Sequence, residues 1–334
     1  MKYRYPLCIG NDVGFGALKG VFNERRVSLM SLFGTPSMNT NKRSVLGQLP
    51  GTQVQIDGKQ WVVGRRASLT SNPISPKTRI RDVAIERAAL CALLGELTYP
   101  GLHEVILVTG LPVGWYSDYK EKDNLKGQTL HFSTDKGAYV FSVIEHEVLP
   151  QPVGTLRARM LNRDGRLSKD SRIFLKGLHV VLDIGTRTSD SVLIDDMAYD
   201  SIRSNGRPIG GNEVVESVGR ELWATLGLQL RYRQMVEAVT NLTVIVEGKA
   251  HGIEEIVERK TREYLLPVVR DILLRCVGNG RGLSSFTVTG GYGGLVLSGV
   301  REEYPQAVLY DDPVFGNALG FERQAKLKRA SMGC

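Results

Sequence analysis

The chain is predicted to be an α/β protein of two related domains, and three observations predict it. The stretch Ile9-Gly-Asn-Asp12-Val-Gly14-Phe-Gly16 returns in altered form as Leu182-Asp183-Ile-Gly185-Thr-Arg-Thr188-Ser-Asp190, each time as an Asp-x-Gly turn between two short apolar runs. A glycine-rich stretch, Gly290-Gly-Tyr-Gly-Gly294, follows a later apolar run. The 334 residues are enough for two domains of roughly 150 residues each. Two Asp-x-Gly turns facing one another are how one class of fold grips nucleotide phosphates from both sides.

Composition narrows the setting. Hydrophobic residues make up 42% and charged residues 23% of the chain, an ordinary balance for a globular protein. No apolar run approaches the ~20 residues that span a bilayer. Met1 to Leu7 leads straight into a strand and lacks the apolar core of a signal peptide. Cys8, Cys91, Cys276 and Cys334 are widely spaced and form no metal-ligand pattern; the first three sit in apolar surroundings, as reduced core residues of a cytoplasmic protein do. The net charge of +8 is spread over Arg25-Arg26, Arg65-Arg66, Lys77 to Arg87, Arg157 to Arg172, Arg231 to Arg233 and Lys326 to Arg329. Diffuse charge attracts polyanions without reading a base sequence, so no direct sequence-specific DNA binding is expected.

The duplication extends beyond the turns. Tyr5 to Gly10, Ala17 to Phe22 and Val27 to Phe33 read as three strands, and Leu178 to Asp183, Ser191 to Asp195 and Ala198 to Arg203 repeat the plan. Thr35 to Pro76 is rich in Gly, Pro, Ser, Thr and Asn and reads as a small insertion. It holds one strand pair, Gln53 to Ile56 and Gln60 to Val63, across Asp57-Gly58. Arg81 to Leu97 carries a helical apolar stripe. Strands are predicted over Glu104 to Thr109, Leu130 to Phe132 and Ala138 to Ile144, and a helix over Val153 to Asn162.

In the second half, Gly206 to Gly211 opens a helix reaching Leu226, and Gln229 to Val246 has no clear pattern. Gly252 to Cys276 reads as a long amphipathic helix that Pro267 should kink. Phe286 to Thr289 and Ala307 to Tyr310 read as strands, and Pro313 to Arg329 as the final helix. The domains are expected at 1–162, with a small subdomain near 35–76, and at 163–311, with one near 207–276; residues 312–334 return to the first domain.

The chemistry follows from the turns. Glycine lets backbone N–H groups approach phosphate oxygens closely. The carboxylates of Asp12 and Asp183 suit Mg²⁺ held through water. Lys19, one strand-length beyond Asp12, is placed to reach a β-phosphate, and Thr188 and Asp190 to support the second turn and the metal waters. Bare backbone at Gly290 to Gly294 offers a flat surface to adenine and ribose.

The order of phosphate turn, connecting helix, second phosphate turn and glycine-rich loop resembles the actin, Hsp70 and sugar-kinase superfamily. Within it, the chain most resembles the bacterial plasmid-segregating actins of the ParM type. The residues that carry the resemblance are Gly10 to Lys19, Val108-Thr-Gly-Leu-Pro112, Leu149-Pro-Gln151-Pro, Asp183 to Asp190, Gly290 to Gly294 and Asp312 to Phe321. It implies an actin-like, ribonuclease H-like duplicated fold with a nucleotide cleft, holding ATP (or GTP) and Mg²⁺. It also implies that Gln151 orients the attacking water in a slow hydrolysis, with Asp12 and Asp183 as the opposed carboxylates. The same resemblance places Asn11, Gly14, Phe15, Gly16, Lys19, Gly185, Thr186, Arg187, Thr188, Asp190, Gly210, Gly211, Glu213, Gly290, Gly291, Tyr292 and Gly293 around the nucleotide. Arg187 stands where the family has a small or uncharged residue; it either meets the γ-phosphate or points to solvent. Tyr292 interrupts the bare loop and is expected to stack near the adenine.

The implied activity is a nucleotide-dependent filament-forming ATPase that drives plasmid or DNA segregation, with itself and a DNA-binding adaptor as partners and no membrane attachment. Two alternatives remain from the same superfamily: a non-polymerising scaffold of a membrane-associated machine, and a small-molecule kinase. A kinase needs a carboxylate base near its acceptor hydroxyl, and Asp118, Glu145 and Glu147 are the candidates. Hsp70-type chaperone activity is set aside because no peptide-binding domain follows Phe321.

Overall fold

The computed structural model describes residues 5–37, 49–75, 82–280 and 282–333. Cys334, Pro76, the Arg81 start of the predicted helix and part of the Thr35–Pro76 stretch lie outside the described residues. The chain divides into two compact units: Met1–Arg172 with Phe315–Cys334, and Ile173–Val314.

The first unit begins with β1 (Leu7–Val13), β2 (Ala17–Phe22), β3 (Arg25–Met30) and the short β4 (Phe33–Gly34), followed by the hairpin β5 (Thr52–Ile56) and β6 (Lys59–Val63). Then come α1 (Val83–Leu97), β7 (Gly101–Leu111), α2 (Val113–Tyr119), β8 (Thr129–Thr134), β9 (Gly137–Pro150) and α3 (Gln151–Met160). One sheet runs β3-β2-β1-β7-β9-β8-β5-β6-β4. The β5–β6 hairpin, expected from the sequence to be an insertion, therefore extends the main sheet: Gln55 pairs with Ser133 of β8, and Val54, Ile56 and Val63 share a core with α1. That pairing links residues far apart in sequence, so no local signal announces it.

Helix α1 starts where Asp82 accepts hydrogen bonds from Ala84 and Ile85 N–H, satisfying two otherwise unbonded helix-end donors. Its Ala88 to Leu94 run is buried against the sheet. The C-terminal helix Gly316–Ser331 packs on β1, β7 and α3. Two glycines make the α3 crossing close: a Cβ on Gly320 would lie 1.6 Å from the Gly154 carbonyl oxygen. Beside it, Thr155 Oγ1 donates to Asn317 Oδ1 at 2.8 Å. These contacts fix α3, and with it Gln151 at its first position.

The second unit opens with β10 (Leu178–Ile184), β11 (Ser189–Asp195) and β12 (Ala198–Arg207). It continues with α4 (Gly211–Leu226), α5 (Tyr232–Asn241), the small hairpin β13 (Thr243–Val246) and β14 (Lys249–Gly252), α6 (Glu254–Lys260) and α7 (Leu266–Val277). Strand β15 (Leu283–Thr289), α8 (Gly293–Glu303) and β16 (Ala307–Leu309) complete it. The sheet runs β12-β11-β10-β15-β16. Its plan repeats the β3-β2-β1-β7-β9 part of the first: three antiparallel strands, then two added in parallel.

The unpatterned Gln229–Val246 stretch resolves into α5 and β13. The predicted long helix starts two residues late because Gly252 pairs with Thr243 in β14. Before Pro267 the backbone widens into a π turn, Thr261–Leu265, in which Leu266 N–H bonds to Thr261 O. Proline has no N–H and crowds the carbonyl four residues back; a π turn is one way a helix takes up such an interruption.

Candidate functional site

The two Asp-x-Gly turns have one geometry. Asp12 lies opposite Lys19 across β1 and β2, and Val13 opposite Leu18; Asp183 lies opposite Asp190 across β10 and β11, and Ile184 opposite Ser189. In each, a glycine N–H closes the turn onto the carbonyl three residues on: Gly14 to Ala17 O at 3.1 Å and Gly185 to Thr188 O at 2.8 Å. Lys19 and Asp190 thus hold equivalent places, a cation in one unit and a carboxylate in the other.

In the first unit, Asp12 is buried and both its oxygens are engaged. Lys19 Nζ sits 3.0 Å from Oδ2, and Gln151 Nε2 donates to Oδ1 at 2.8 Å. Strand β9 runs to Pro150, so Gln151 begins α3 beside β1. Gly110 makes room for it, since a Cβ there would come 2.8 Å from Gln151 Cγ. Phe15 and Gly16 lie in the turn: Gly16 O accepts from Ser31 N–H, and the Phe15 ring meets Trp115 of α2 edge-on at 5.7 Å. Asn11 is not brought to this cluster. Strand alternation turns it to the other face, where its Oδ1 lies beside the Gly20 position that Leu93 and Leu97 of α1 also line.

In the second unit, three backbone segments converge on Asp183. Gly211 and Asn212 N–H bond to Gly185 O and Thr186 O, both at 2.9 Å, so the start of α4 is tied to the turn. A Cβ on Gly210 would meet Thr186 C and Thr188 N at 2.8 Å. Tyr292 N–H bonds to Ile184 O at 3.0 Å, which docks the glycine-rich loop on the end of β10. Gly290 has φ +87°, and a Cβ there would sit 2.2 Å from Asp183 Oδ1. Only glycine fits that backbone and that approach. Gly291 faces open space, Gly293 begins α8, and Glu213 is exposed in the first turn of α4.

The Tyr292 ring is not laid open as a platform. It is 9% exposed and covers Gly211, where a Cβ would lie 2.1 Å from the ring. Burial pushes its hydroxyl well above the usual tyrosine range, and Tyr232 of α5 adds to the rise. Arg187 is half-buried in the turn, and its charge is felt at Tyr232.

The donor chemistry fits Mg²⁺ in one respect. Asp183 and Asp190, paired across two strands, supply hard carboxylate oxygens. Among the described residues no group of three or more His, Cys, Asp or Glu side chains is placed to hold a metal, so phosphate oxygens and water would complete any such shell.

Residues 10–154 match the family model of the N-terminal domain of actin-like proteins. Among solved structures, the apo psk41 ParM protein superposes with a TM-score of 0.75 at 18% identity, covering 98% of this chain and 99% of its own. The fold is actin-like. An archaeal actin homologue, Ta0583, in complex with ADP, gives 0.74 at 23% identity over 96% of this chain and 99% of its own. A 15-stranded ParM filament from Clostridium botulinum gives 0.73 at 18%, with the same two coverages. No curated protein matches the sequence.

Two parts of this actin-like architecture are not foreseen from the sequence. Trp115 and Tyr119 sit four apart on α2 with rings 6.4 Å apart; that helical spacing after Pro112 is the available signal. Tyr232 offers none, since its link to Tyr292 depends on how α5 folds back. Among the described residues no helix is long and apolar enough to cross a membrane.

Proposed function

We propose that this chain is a nucleotide-dependent, filament-forming actin-like ATPase that serves plasmid or DNA segregation in the cytoplasm. The observation that carries the proposal is the matched pair of Asp-led turns, each closed by a glycine N–H and each seated at the end of a central strand. Such turns direct backbone N–H groups at anionic oxygens, and we take each to be suited to the phosphates of a nucleoside triphosphate, ATP or GTP. Asp12 in the first unit and Asp183 in the second each offer a carboxylate suited to Mg²⁺ held through water; the ion would neutralise charge building on the transferred phosphoryl group.

Gln151 takes the water-orienting role. An amide positions water but is a negligible base, so turnover is slow. Its hydrogen bond to Asp12 fixes the amide's direction. Gly14, Phe15, Gly16 and Lys19 belong to the first turn, and Gly185 to Thr188, Gly210, Gly211, Glu213 and Gly290 to Gly293 to the surroundings of the second. Assembly is argued from structural likeness to a ParM filament, and the adaptor from the ParM-type resemblance. Scattered basic residues support an adaptor over direct base reading.

The test is sedimentation and electron microscopy of the purified protein with Mg-ATP, with Mg-ADP and Asp183→Ala as controls. Filaments that need ATP and vanish in the variant are expected. Nucleotide binding without assembly at any protein concentration would overturn the proposal in favour of a non-polymerising scaffold. Turnover stimulated strongly by a sugar acceptor would point instead to a kinase.

A further inference from the structure

Segments 162–172 and 322–329, far apart in the sequence, hold eight Lys and Arg against three Asp and Glu. They therefore supply five of the chain's net +8 charges. The fold lays them side by side. Gly165 has φ +76°, and a Cβ there would lie 2.6 Å from Leu327 N, so its turn is pressed onto the C-terminal helix. Asn162 Oδ1 accepts from Asp164 and Arg166 N–H, both at 3.0 Å, which fixes the shape of the turn itself.

Two cations of the helix are consumed in building this face. Lys326, buried, pairs with the buried Glu322 at 2.8 Å and donates to Arg163 O at 2.7 Å. Arg323 donates to Ala158 O and Leu161 O around the end of α3. The turn, and the 3₁₀ segment Lys169–Phe174 that follows it, then present cations outward. The Arg163 side chain is 80% exposed, with one loose contact to Glu24 at 3.5 Å, and Arg166, Lys169 and Arg172 are exposed. Among the described residues these last three enter no ion pair, although cations elsewhere are heavily paired, as Arg262 and Arg270 are with Glu302. Basic runs that look dispersed along the sequence are thus gathered on one face.

We propose that this face of the first unit binds the phosphate backbone of double-stranded DNA without reading its sequence. The phosphate chemistry rests on the cations alone, and the choice of DNA rests on the segregation role proposed above. Three of the four outward cations are arginines, whose planar fork suits paired phosphate oxygens. Neither segment contains an aromatic residue, so neither supplies the stacking platform on which single strands are held. The exposed apolar side chains, Leu167 and Leu327 in the segments and Met332 just beyond, are single and aliphatic. A membrane-surface helix needs a continuous apolar face instead. Bound in this way, a filament subunit would touch its cargo directly as well as through an adaptor.

The test is fluorescence anisotropy of a labelled short duplex of random sequence, titrated with nucleotide-free protein at several salt concentrations. Neutralising about three or four phosphates gives a slope of about −3 in log K against log salt, a loss of roughly sixtyfold between about 50 and 200 mM. Combining Arg166→Ala, Lys169→Ala and Arg172→Ala should flatten the slope to about −1. The same charge loss at the exposed Lys59, Arg220 and Lys249, each changed to alanine, should leave the slope as it is. Arg166→Lys with Arg172→Lys keeps the charge and should keep the slope, which guards against a folding defect in the alanine variant. No duplex binding at about 50 mM salt, equal losses in the two triple variants, or preference for one duplex sequence would overturn the inference. Tighter binding to duplex RNA, to vesicles of anionic phospholipid or to polyglutamate at equal charge would overturn the choice of DNA. Because nucleotide is absent throughout, failure here leaves the proposed ATPase standing, and failure to assemble with Mg-ATP leaves the phosphate-binding face standing.

Discussion

Gln151 donates its side-chain amide to Asp12 across the end of β1, 2.8 Å from Oδ1, while Lys19 occupies the other oxygen at 3.0 Å. The carboxylate is buried with a cation on one side and a neutral donor on the other. A buried charged group that loses a donor retains the desolvation cost without the bond, about 1–3 kcal/mol. Gln151→Ala should therefore lower unfolding stability by about that amount in urea titration. Gln151→Glu should be worse at neutral pH, because it sets two carboxylates together, and should recover as the pH is lowered and one of them protonates. If Gln151 orients water, ATP turnover in Gln151→Ala should fall at least about tenfold, below what a full proton-transfer group supplies, with much less change in nucleotide affinity.

The glycine-rich loop makes a paired prediction. Gly290 needs its φ of +87°, and a Cβ added there would lie 2.2 Å from Asp183 Oδ1, whereas one added at Gly291 would have nothing within 4 Å. Gly290→Ala combines positive-φ strain with a clash against the Asp183 carboxylate and should cost roughly 3 kcal/mol or more. Gly291→Ala should stay within about 0.5 kcal/mol of wild type, as an uncrowded surface change does. Thermal or chemical unfolding of the two variants side by side measures the difference; equal effects would mean that the loop is not docked on β10 as described.

What the sequence discloses divides along the range of the interactions. The Asp12–Lys19 and Asp183–Asp190 hairpins are legible because a hairpin's register is local: apolar alternation and an Asp-x-Gly turn fix which residues face one another. The place of Gln151 comes from resemblance, since its bond to Asp12 spans most of the first unit's sequence. The β5–β6 hairpin resembles an insertion because its pairing with β8 has no local mark. Tyr292 reads as an adenine neighbour because the missing Cβ of Gly211, which lets the ring close down, has meaning only once α4 and the loop are folded together. The same holds for Asn11, whose neighbour Asp12 invites a shared role, although alternation along β1 sends the two to opposite faces.

His146 gives a pH dependence with a definite sign. Its Nδ1 accepts from Leu125 N–H at 2.9 Å, so the proton is on Nε2, which donates to Thr109 Oγ1 at 3.0 Å. Burial lowers its pKa to about 4 from the usual 6.5. A group whose folded pKa is depressed contributes stability that is present above the unfolded value and lost as the pH falls through the folded one. Between pH 7.5 and 5 the native state should lose about 2 kcal/mol through this residue. In His146→Asn, which can still accept from Leu125 but does not titrate, that part of the loss should be absent. Urea titrations of both proteins across this range would show it, and parallel curves would exclude His146 as the cause.

Phe15 and Trp115 provide an optical test of whether the Asp12 turn engages phosphate. Phe15 sits at the tip of the Asp12 hairpin, between the Gly14 N–H that closes it and the Gly16 carbonyl bound to Ser31. Its ring meets Trp115 at 5.7 Å with an interplanar angle of 79°, and Trp115 in turn meets Tyr119. Any shift of the turn on engaging phosphate moves the ring against the indole, because aromatic contacts of this kind are directional. With Trp61 and Trp223 replaced by phenylalanine, Trp115 becomes the sole indole, and its emission should change when Mg-ATP is added. Phe15→Leu should abolish most of the change while leaving nucleotide affinity within a few-fold, since the turn's N–H groups are untouched. An unaltered signal in Phe15→Leu would show that the indole senses something other than the turn. No signal from the single-tryptophan protein at saturating nucleotide would mean that the hairpin is already set in its binding geometry before the phosphates arrive.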